Sequence, residues 1–466
     1  MELLRTRLFR NPRAALGAII LFTVVVRLGF CLVVYPALSD VPSVQGHDRY
    51  DNIARNLLHG SGYALDPAGP PTIKRLPLYP ILLYVIYAAV GEHFWAVQLA
   101  QVCLAAVTAW LIFLIGRTLF SDIVGLLAAA VFSVHPHLVH YTARPYTETL
   151  YVFLICLLAY LLLDIPGPAP RKSGLIAGAV FGLTLLTKGV AIGLPAFFFL
   201  GCLLDPSHRR SLSPLARYLF FFLIGTAIIV SPWAYRNYLL TGRAILTSTW
   251  EGAPLYHGLY VSSHLGDGRT PGALDRAASL ERQQFVGEQL GRNQNPVDEY
   301  RADRLAYTVA FKKILGSPSK AAMLFLRNLF LVWFLTRTTF FLYLGLIVHL
   351  SLLGLSLYGL AWMVRHDRGG LGKVWAIGSL IIYFNVIYAI AYPFVRYILP
   401  VVPLVTVLAA FGLAKILGLE GPSRSIQPES GTNAPSAGLI PRLRGKWLAS
   451  GSGQPGATKT SHMCPS

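Results

Sequence analysis

Apolar residues in this chain come in long runs, each closed by a short basic or glycine- and proline-rich segment. The clearest runs are Ala14 to Pro36, Phe94 to Gly116, Thr149 to Leu163 and Tyr397 to Leu417. Each comes close to the roughly 20 residues that a helix needs to cross a bilayer core. The pattern predicts an all-α polytopic membrane protein. Two further runs read differently. Pro77 to Val90 is short for a span and carries Pro77 and Pro80, so it is expected to dip into the membrane as a re-entrant segment. Ala321 to Leu335 is interrupted by Arg327 and Asn328 and followed by Arg337, which predicts an interfacial helix.

Charge orients these elements. Arg5, Arg7, Arg10 and Arg13 precede the first run and should hold the N-terminus in the cytoplasm, because short basic segments resist translocation. If Pro77 to Val90 only dips, the basic sites at Arg117, Arg171-Lys172 and Arg209-Arg210-Arg217 all fall on the cytoplasmic side, as the positive-inside bias prefers. The result is about ten spans with both termini inside. The first loop with its juxtamembrane helices (39–93) and a long loop with its interfacial helix (233–338) then face outside. A membrane domain over 1–418 is followed by a Gly-, Ser- and Pro-rich tail, 419–466, expected to be disordered.

Composition agrees with this picture. Apolar residues make up 54% of the 466 and charged residues only 13%, and the mean hydropathy of +0.54 excludes a soluble fold. The net charge of +19 lies mostly beside apolar runs, the footprint of membrane orientation and not of nucleic-acid binding. Of the five cysteines, Cys31, Cys103, Cys156 and Cys202 lie inside apolar runs, so no disulfide framework is expected. No Walker sequence or complete dinucleotide fingerprint occurs, and no motif calls for a cofactor. His135, His137 and His140 share one stretch, but no His-Glu-x-x-His pattern or acid cluster accompanies them. They read as interfacial histidines, no metal site is expected, and dependence on a divalent metal stays open.

The chemistry-bearing residues gather on the external side. In HDRYDNIARNLLHGSGY, Tyr50, Ile53, Ala54, Leu57 and Leu58 recur at helical spacing and Gly60 and Gly62 stop the helix. Asp48 and Asp51 stand at its start, where the helix dipole favours an acid. Either is equally placed to act as a general base, and spacing does not choose. Lys74 and Arg75 lead into Pro77-Leu78-Tyr79-Pro80. They serve either as interfacial anchors or, in the case of Arg75, as a bidentate ligand of a lipid phosphate. Glu148 opens a span, where pairing with Arg144 four residues earlier is the plain explanation. Lys188 and Arg396 interrupt apolar stretches as anchors or as further phosphate ligands. Arg27 lies mid-span and should face the bundle.

Five segments in order resemble the GT-C glycosyltransferases that use polyprenyl-phosphate sugars, especially the bacterial relatives of protein O-mannosyltransferases and lipid A aminoarabinose transferases. They are the Asp48 segment, RLPLYPILLYVIYAAVG, HPHLVHYTARPYTETLY, SPWAYRNYLLTG and RYILPVVPL. The resemblance spans roughly Arg13 to Leu417. It implies a GT-C helical bundle, with Asp48 as base ahead of Asp51, Glu148 as a second acid, and Arg75, Lys188 and Arg396 on the donor phosphate. Tyr50, Lys74, Tyr79, Arg144 and His257 would line the cavity, together with Trp250, Glu251 and Tyr256 of the long loop. Gly46 and His47 stand where relatives often carry the acid, which leaves Asp48 against Asp51 open. The implied activity is inverting transfer of a sugar from a polyprenyl phosphate to a glycolipid, polysaccharide or protein acceptor. The implied place is the external face of a bacterial inner membrane, among membrane lipids. A transporter or flippase of lipid-linked sugars is the alternative. It would need acids deep within spans, and few are present.

Overall fold

The computed structural model describes residues 11–38, 48–163, 165, 169–204, 212–291, 295–336, 339–367 and 370–419. The expectations for Arg5, Arg7, Arg10, Gly46, His47, the 208–210 cluster, Arg337 and the 420–466 tail lie outside the described residues. Among the described residues all regular secondary structure is helical, apart from one isolated bridge between Ala64 and Pro71.

The order begins with α1 (Pro12–Gly29), capped by Asn11, whose Oδ1 accepts from the Ala14 amide at 3.3 Å. It continues through a π-helical turn, Phe30–Val34, into Tyr35–Leu38. Next come α2 (Tyr50–Leu58), α3 (Leu78–Val90), α4 (Phe94–Leu119), α5 (Asp122–Val134) and α6 (Pro136–Thr142), the last two meeting at a 60° bend. Then follow α7 (Glu148–Leu162), α8 (Pro170–Leu185), α9 (Leu194–Leu204) and α10 (Leu212–Thr241). The long loop folds as α11 (Gly252–His264), α12 (Pro271–Leu290), α13 (Pro296–Gly316) and α14 (Pro318–Leu331). The chain closes with α15 (Thr339–His366), α16 (Trp375–Ala391) and α17 (Val402–Ile416), α17 being entered through turns at Val395–Ile398 and Leu399–Val401.

Five helical stretches are long and apolar enough to cross a membrane, six if the bent α5–α6 pair is one span. α3, α7, α16 and the 189–203 stretch are apolar but shorter. The 13 residues of α3 rise about 20 Å, against the roughly 30 Å of a hydrocarbon core. The segment behind Arg75 therefore has the length of a re-entrant helix.

Burial separates centre from periphery. The final stretch, Val395–Ile416, is 89% buried over its apolar window, whereas that of α1 is 17% buried. Leu21 and Val25 of α1, Phe220 and Ile228 of α10, and Ile347 and Leu357 of α15 all point outward, the arrangement expected where lipid is the solvent. Between helices in lipid, close packing supplies the attraction. Gly174, Gly178 and Gly182 form a row on α8 that lets α10 approach closely. A Cβ on Gly178 would lie 1.9 Å from the Phe222 carbonyl oxygen, and one on Gly174 2.5 Å from that of Tyr218. Thr226 uses this proximity to donate to the Gly178 carbonyl at 3.1 Å.

Arg27 faces the bundle as its cost in lipid demands. It is fully buried, donates to the carbonyls of Ser133 (2.9 Å) and Phe132 (3.2 Å), and lies over the Phe132 ring. The run expected to be interfacial, Ala321 to Leu335, folds largely as α14. Met323, Leu326 and Phe330 are exposed along it, while Asn328 turns inward to donate to the Ala389 carbonyl at 3.0 Å.

Because successive helices reverse direction, chemistry divides between the two ends of the bundle. One end receives the start of α7, the end of α8 and the turn between α16 and α17, overlaid by α2, α3 and the long-loop helices. The other carries Arg117, Arg171, Lys172, Arg365 and Lys415.

Candidate active site

Asp48 owes its placement to a backbone anomaly. Arg49 is the non-glycine residue with positive φ (62°) among the described residues, a conformation that costs a side-chain-bearing residue of order 1 kcal/mol or more. The kink sends the Arg49 guanidinium outward to Asp66 and to the Leu65 carbonyl and leaves Asp48 facing the bundle. Its carboxylate meets the Arg396 guanidinium. Arg396 also grips Glu148, through Nε at 2.5 Å and Nη2 at 3.3 Å. Lys188 completes the cluster, with Nζ 2.9 Å from Glu148 Oε1.

Two acids and two cations from four distant parts of the chain thus form one network. Glu148 is fully buried in it, a position a carboxylate tolerates only when paired. Arg144, the local partner expected for Glu148, is buried and donates to the Tyr146 hydroxyl at 3.0 Å, stacked on that ring. The cations that hold Glu148 come from 40 and 248 residues away.

Lys188 reaches the network because α8 ends just before it and the long loop presses close behind. A Cβ on Gly189 would sit 2.7 Å from Glu251 Oε1 and 2.8 Å from Thr247 Cβ, so any larger residue would push the loop away from the site.

A cavity of about 130 Å³ opens on this network, lined by Asp48, Tyr50, Lys74, Arg75, Lys188, Trp250, Glu251, Tyr388, Tyr392, Arg396 and Tyr397, among others. A second, open cavity of about 1010 Å³ lies against α12 and α13 and shares Lys74, Arg75 and Trp250 with the first. Arg75 stands at the junction. Its Nε donates to the Asp48 carbonyl at 3.0 Å and its guanidinium lies over Tyr50 (5.5 Å) and Trp250 (5.2 Å). Arg282 of α12 covers the same tryptophan at 4.8 Å. Glu299 of α13 fixes the approach to Arg75, accepting from Thr72 Oγ1 and the Ile73 amide, both at 2.8 Å, with Lys74 Nζ 3.6 Å away.

Asp51 does not line either cavity. Tyr79 is buried behind Tyr50, its hydroxyl bonded to Gln101 at 3.2 Å. His257 sits behind Tyr392, with Nδ1 3.4 Å from Asp275. Tyr256 turns to Glu281. The expected cavity positions Tyr79, Arg144, His257 and Tyr256 therefore support the wall from outside it. Tyr388, Tyr392 and Tyr397, which line it, were not singled out from the sequence, where aromatic residues near a span end read as interfacial. Glu251 does line it, and burial, aided by nearby Asp303, pushes its pKa up to about 7.

Residues 71–235 match the family described as dolichyl-phosphate-mannose-protein mannosyltransferase, a segment that includes Arg75, Glu148 and Lys188. No curated protein matches the chain in sequence. In three dimensions it is similar to the apo oligosaccharyltransferase of Archaeoglobus fulgidus, with a TM-score of 0.53 and 13% identity over 88% of this chain and 51% of that one. The chain has a GT-C fold. A second structure from Archaeoglobus fulgidus, the archaeal oligosaccharyltransferase AglB with an inhibitory peptide and a dolichol-phosphate, gives 0.52 and 14% over 86% and 50%. The chain thus spans about half the length of these two GT-C proteins. ArnT from Cupriavidus metallidurans bound to undecaprenyl phosphate aligns at a TM-score of 0.39 and 16% identity, over 84% of this chain and 78% of that one.

Proposed function

We propose that the chain is a membrane glycosyltransferase that moves a sugar from a polyprenyl phosphate to a glycolipid, polysaccharide or protein acceptor, working at the external face of a bacterial inner membrane. The observation that carries this reading is the convergence of Asp48 with Arg75, Lys188 and Arg396 on one cavity at one end of an apolar bundle. The dolichyl-phosphate-mannose description of the matched family and the GT-C fold support it. The orientation rests on the basic residues at the opposite end, which the positive-inside bias assigns to the cytoplasm.

In this mechanism the donor phosphate lies against Arg75, Lys188 and Arg396. The acceptor arrives through the outer cavity. Its hydroxyl or amine gives its proton to an Asp48 carboxylate oxygen as it attacks the anomeric carbon. The bond from that carbon to the phosphate oxygen breaks, its electron pair leaves with the phosphate, and the cations meet the growing charge. Attack opposite the leaving group inverts the anomeric centre. Before donor binding, Arg396 is held by Asp48 and Glu148 together. An incoming phosphate competes with Asp48 for that guanidinium, which loosens the base as the donor seats. Glu148, buried behind the cations, acts as a positioning residue that keeps Lys188 and Arg396 aimed at the phosphate.

The test uses proteoliposomes supplied with radiolabelled polyprenyl-phosphate hexoses or pentoses. The proposal expects label to move into the glycolipid or protein fraction, with Arg75→Ala and Lys188→Ala each lowering transfer by at least about tenfold, the loss of a charge-assisted bond to the departing phosphate. Movement of the intact lipid-linked sugar between leaflets, with no covalent product from any donor, would make the chain a transporter instead.

A further inference from the structure

Three imidazoles converge elsewhere in the bundle. His135 occupies the bend between α5 and α6, its backbone extended at φ −63°, ψ 116°. His137, two residues later, lies in the first turn of α6, and the extended link lets both rings face one side. His349 comes from α15, 214 residues from His135. All three are buried, and their candidate ligand nitrogens lie within 4.8 Å of one another. None lines the donor cavity.

The details favour a ligand set over a chance cluster. His135 Nε2 and His349 Nε2 are 3.2 Å apart, and two nitrogens bound at 2.0–2.1 Å to one tetrahedral ion stand roughly 3.3 Å apart. His349 Nδ1 is bonded to the Trp333 carbonyl. That bond fixes Nδ1 as the donor and leaves the lone pair on Nε2, the arrangement by which a backbone carbonyl orients a ligating histidine. His137 reaches the pair because Gly345, one turn before His349, leaves its place open. A Cβ on Gly345 would lie 3.1 Å from His137 Cε1. A simple hydrogen bond between His135 and His349 accounts for two of the rings and not for the third nitrogen inside the same sphere.

We propose that His135, His137 and His349 form a buried transition-metal site that staples the α5–α6 bend to α15. An all-imidazole set with no carboxylate suits zinc or copper and not magnesium or calcium. Within the bundle the ions to consider are Zn²⁺, whose fourth tetrahedral position a water would fill, and Cu⁺, for which three imidazoles suffice. From the sequence His135, His137 and His140 read as interfacial, with no metal expected; all three are buried, and His349 stands alone in an apolar run.

The experiment measures metal by mass spectrometry in the full chain, purified in detergent without a polyhistidine tag, as isolated and after exposure to Zn²⁺ or to Cu⁺ followed by removal of the excess. About one equivalent of one ion per chain is expected, the retained ion naming the metal. The double variant His135→Ala/His137→Ala should hold at least about tenfold less, while His59→Ala, far from the cluster in sequence and exposed, should hold as much as wild type. Should the double variant fail to fold, X-ray absorption of the wild type decides, with three nitrogen ligands near 2.0–2.1 Å expected. Failure of the wild type to retain either ion, retention in a folded double variant, or sulfur or carboxylate ligation overturns the site.

Discussion

Asp48→Asn should lower sugar transfer by about 10²–10⁴-fold, the contribution of a positioned general base, while Asp51→Asn leaves it near the wild-type rate. The two acids are three residues apart and could not be ranked by spacing. The left-handed turn at Arg49 separates them, because Asp48 then faces the cavity and Arg396, whereas Asp51, one residue into α2, lines neither cavity. Asparagine keeps the size and a hydrogen-bond acceptor for Arg396 but takes no proton, so the loss should fall on kcat. Initial rates at matched expression check this. An Asp51→Asn variant that loses as much as Asp48→Asn, or an Asp48→Asn variant that loses nothing, would remove Asp48 from the base's role.

Glu148→Ala should be the most damaging change to stability at the site. It leaves Lys188, only 13% exposed, without the carboxylate that holds it, and Arg396, equally buried, with Asp48 alone, and breaking a buried pair in this way costs about 3–5 kcal/mol. The midpoint of thermal unfolding in detergent should fall accordingly. Glu148→Gln, which keeps acceptor oxygen at the same place, should recover part of the loss. A structural role alone would end there. As a positioning residue for the phosphate ligands, Glu148 predicts more: in whatever fraction of Glu148→Gln folds, the donor KM rises and the acceptor KM stays put. Equal donor affinity in wild type and Glu148→Gln would confine Glu148 to stability.

Much of this was readable in advance, because lipid imposes simple rules on sequence. Length and hydropathy predict the helices, and the structure places α4, α7 and the last span within a few residues of the expected bounds. Helix α2 begins at Tyr50 and is stopped by Gly60 and Gly62, both with positive φ, as their spacing suggested. Isolated cations at the mouths of apolar runs were legible as candidates because burying them is costly, and Arg75, Lys188 and Arg396 do meet on one cavity.

Long-range pairing was not legible. The i, i+4 rule offered Arg144 to Glu148, whereas the carboxylate is held by Lys188 and Arg396, a partnership no local rule reaches. The interior of the long loop gave no such signal either. Its polar residues, among them Arg282, Glu299 and Asp303, acquire meaning only when α12 and α13 fold over Arg75. The glycines at 174, 178 and 182 stand four apart in plain view and needed only the α8–α10 contact to explain them. His349 had no signature, since a lone histidine in an apolar run reads first as a satisfied core residue.

The most direct test of the central claim follows both products of a single reaction. With a polyprenyl-phosphate sugar of defined anomeric configuration, the account predicts one polyprenyl monophosphate released for each sugar joined to the acceptor, and the opposite anomer in the product. Sugar appearing on the acceptor with retained configuration, or without release of polyprenyl monophosphate, would contradict it.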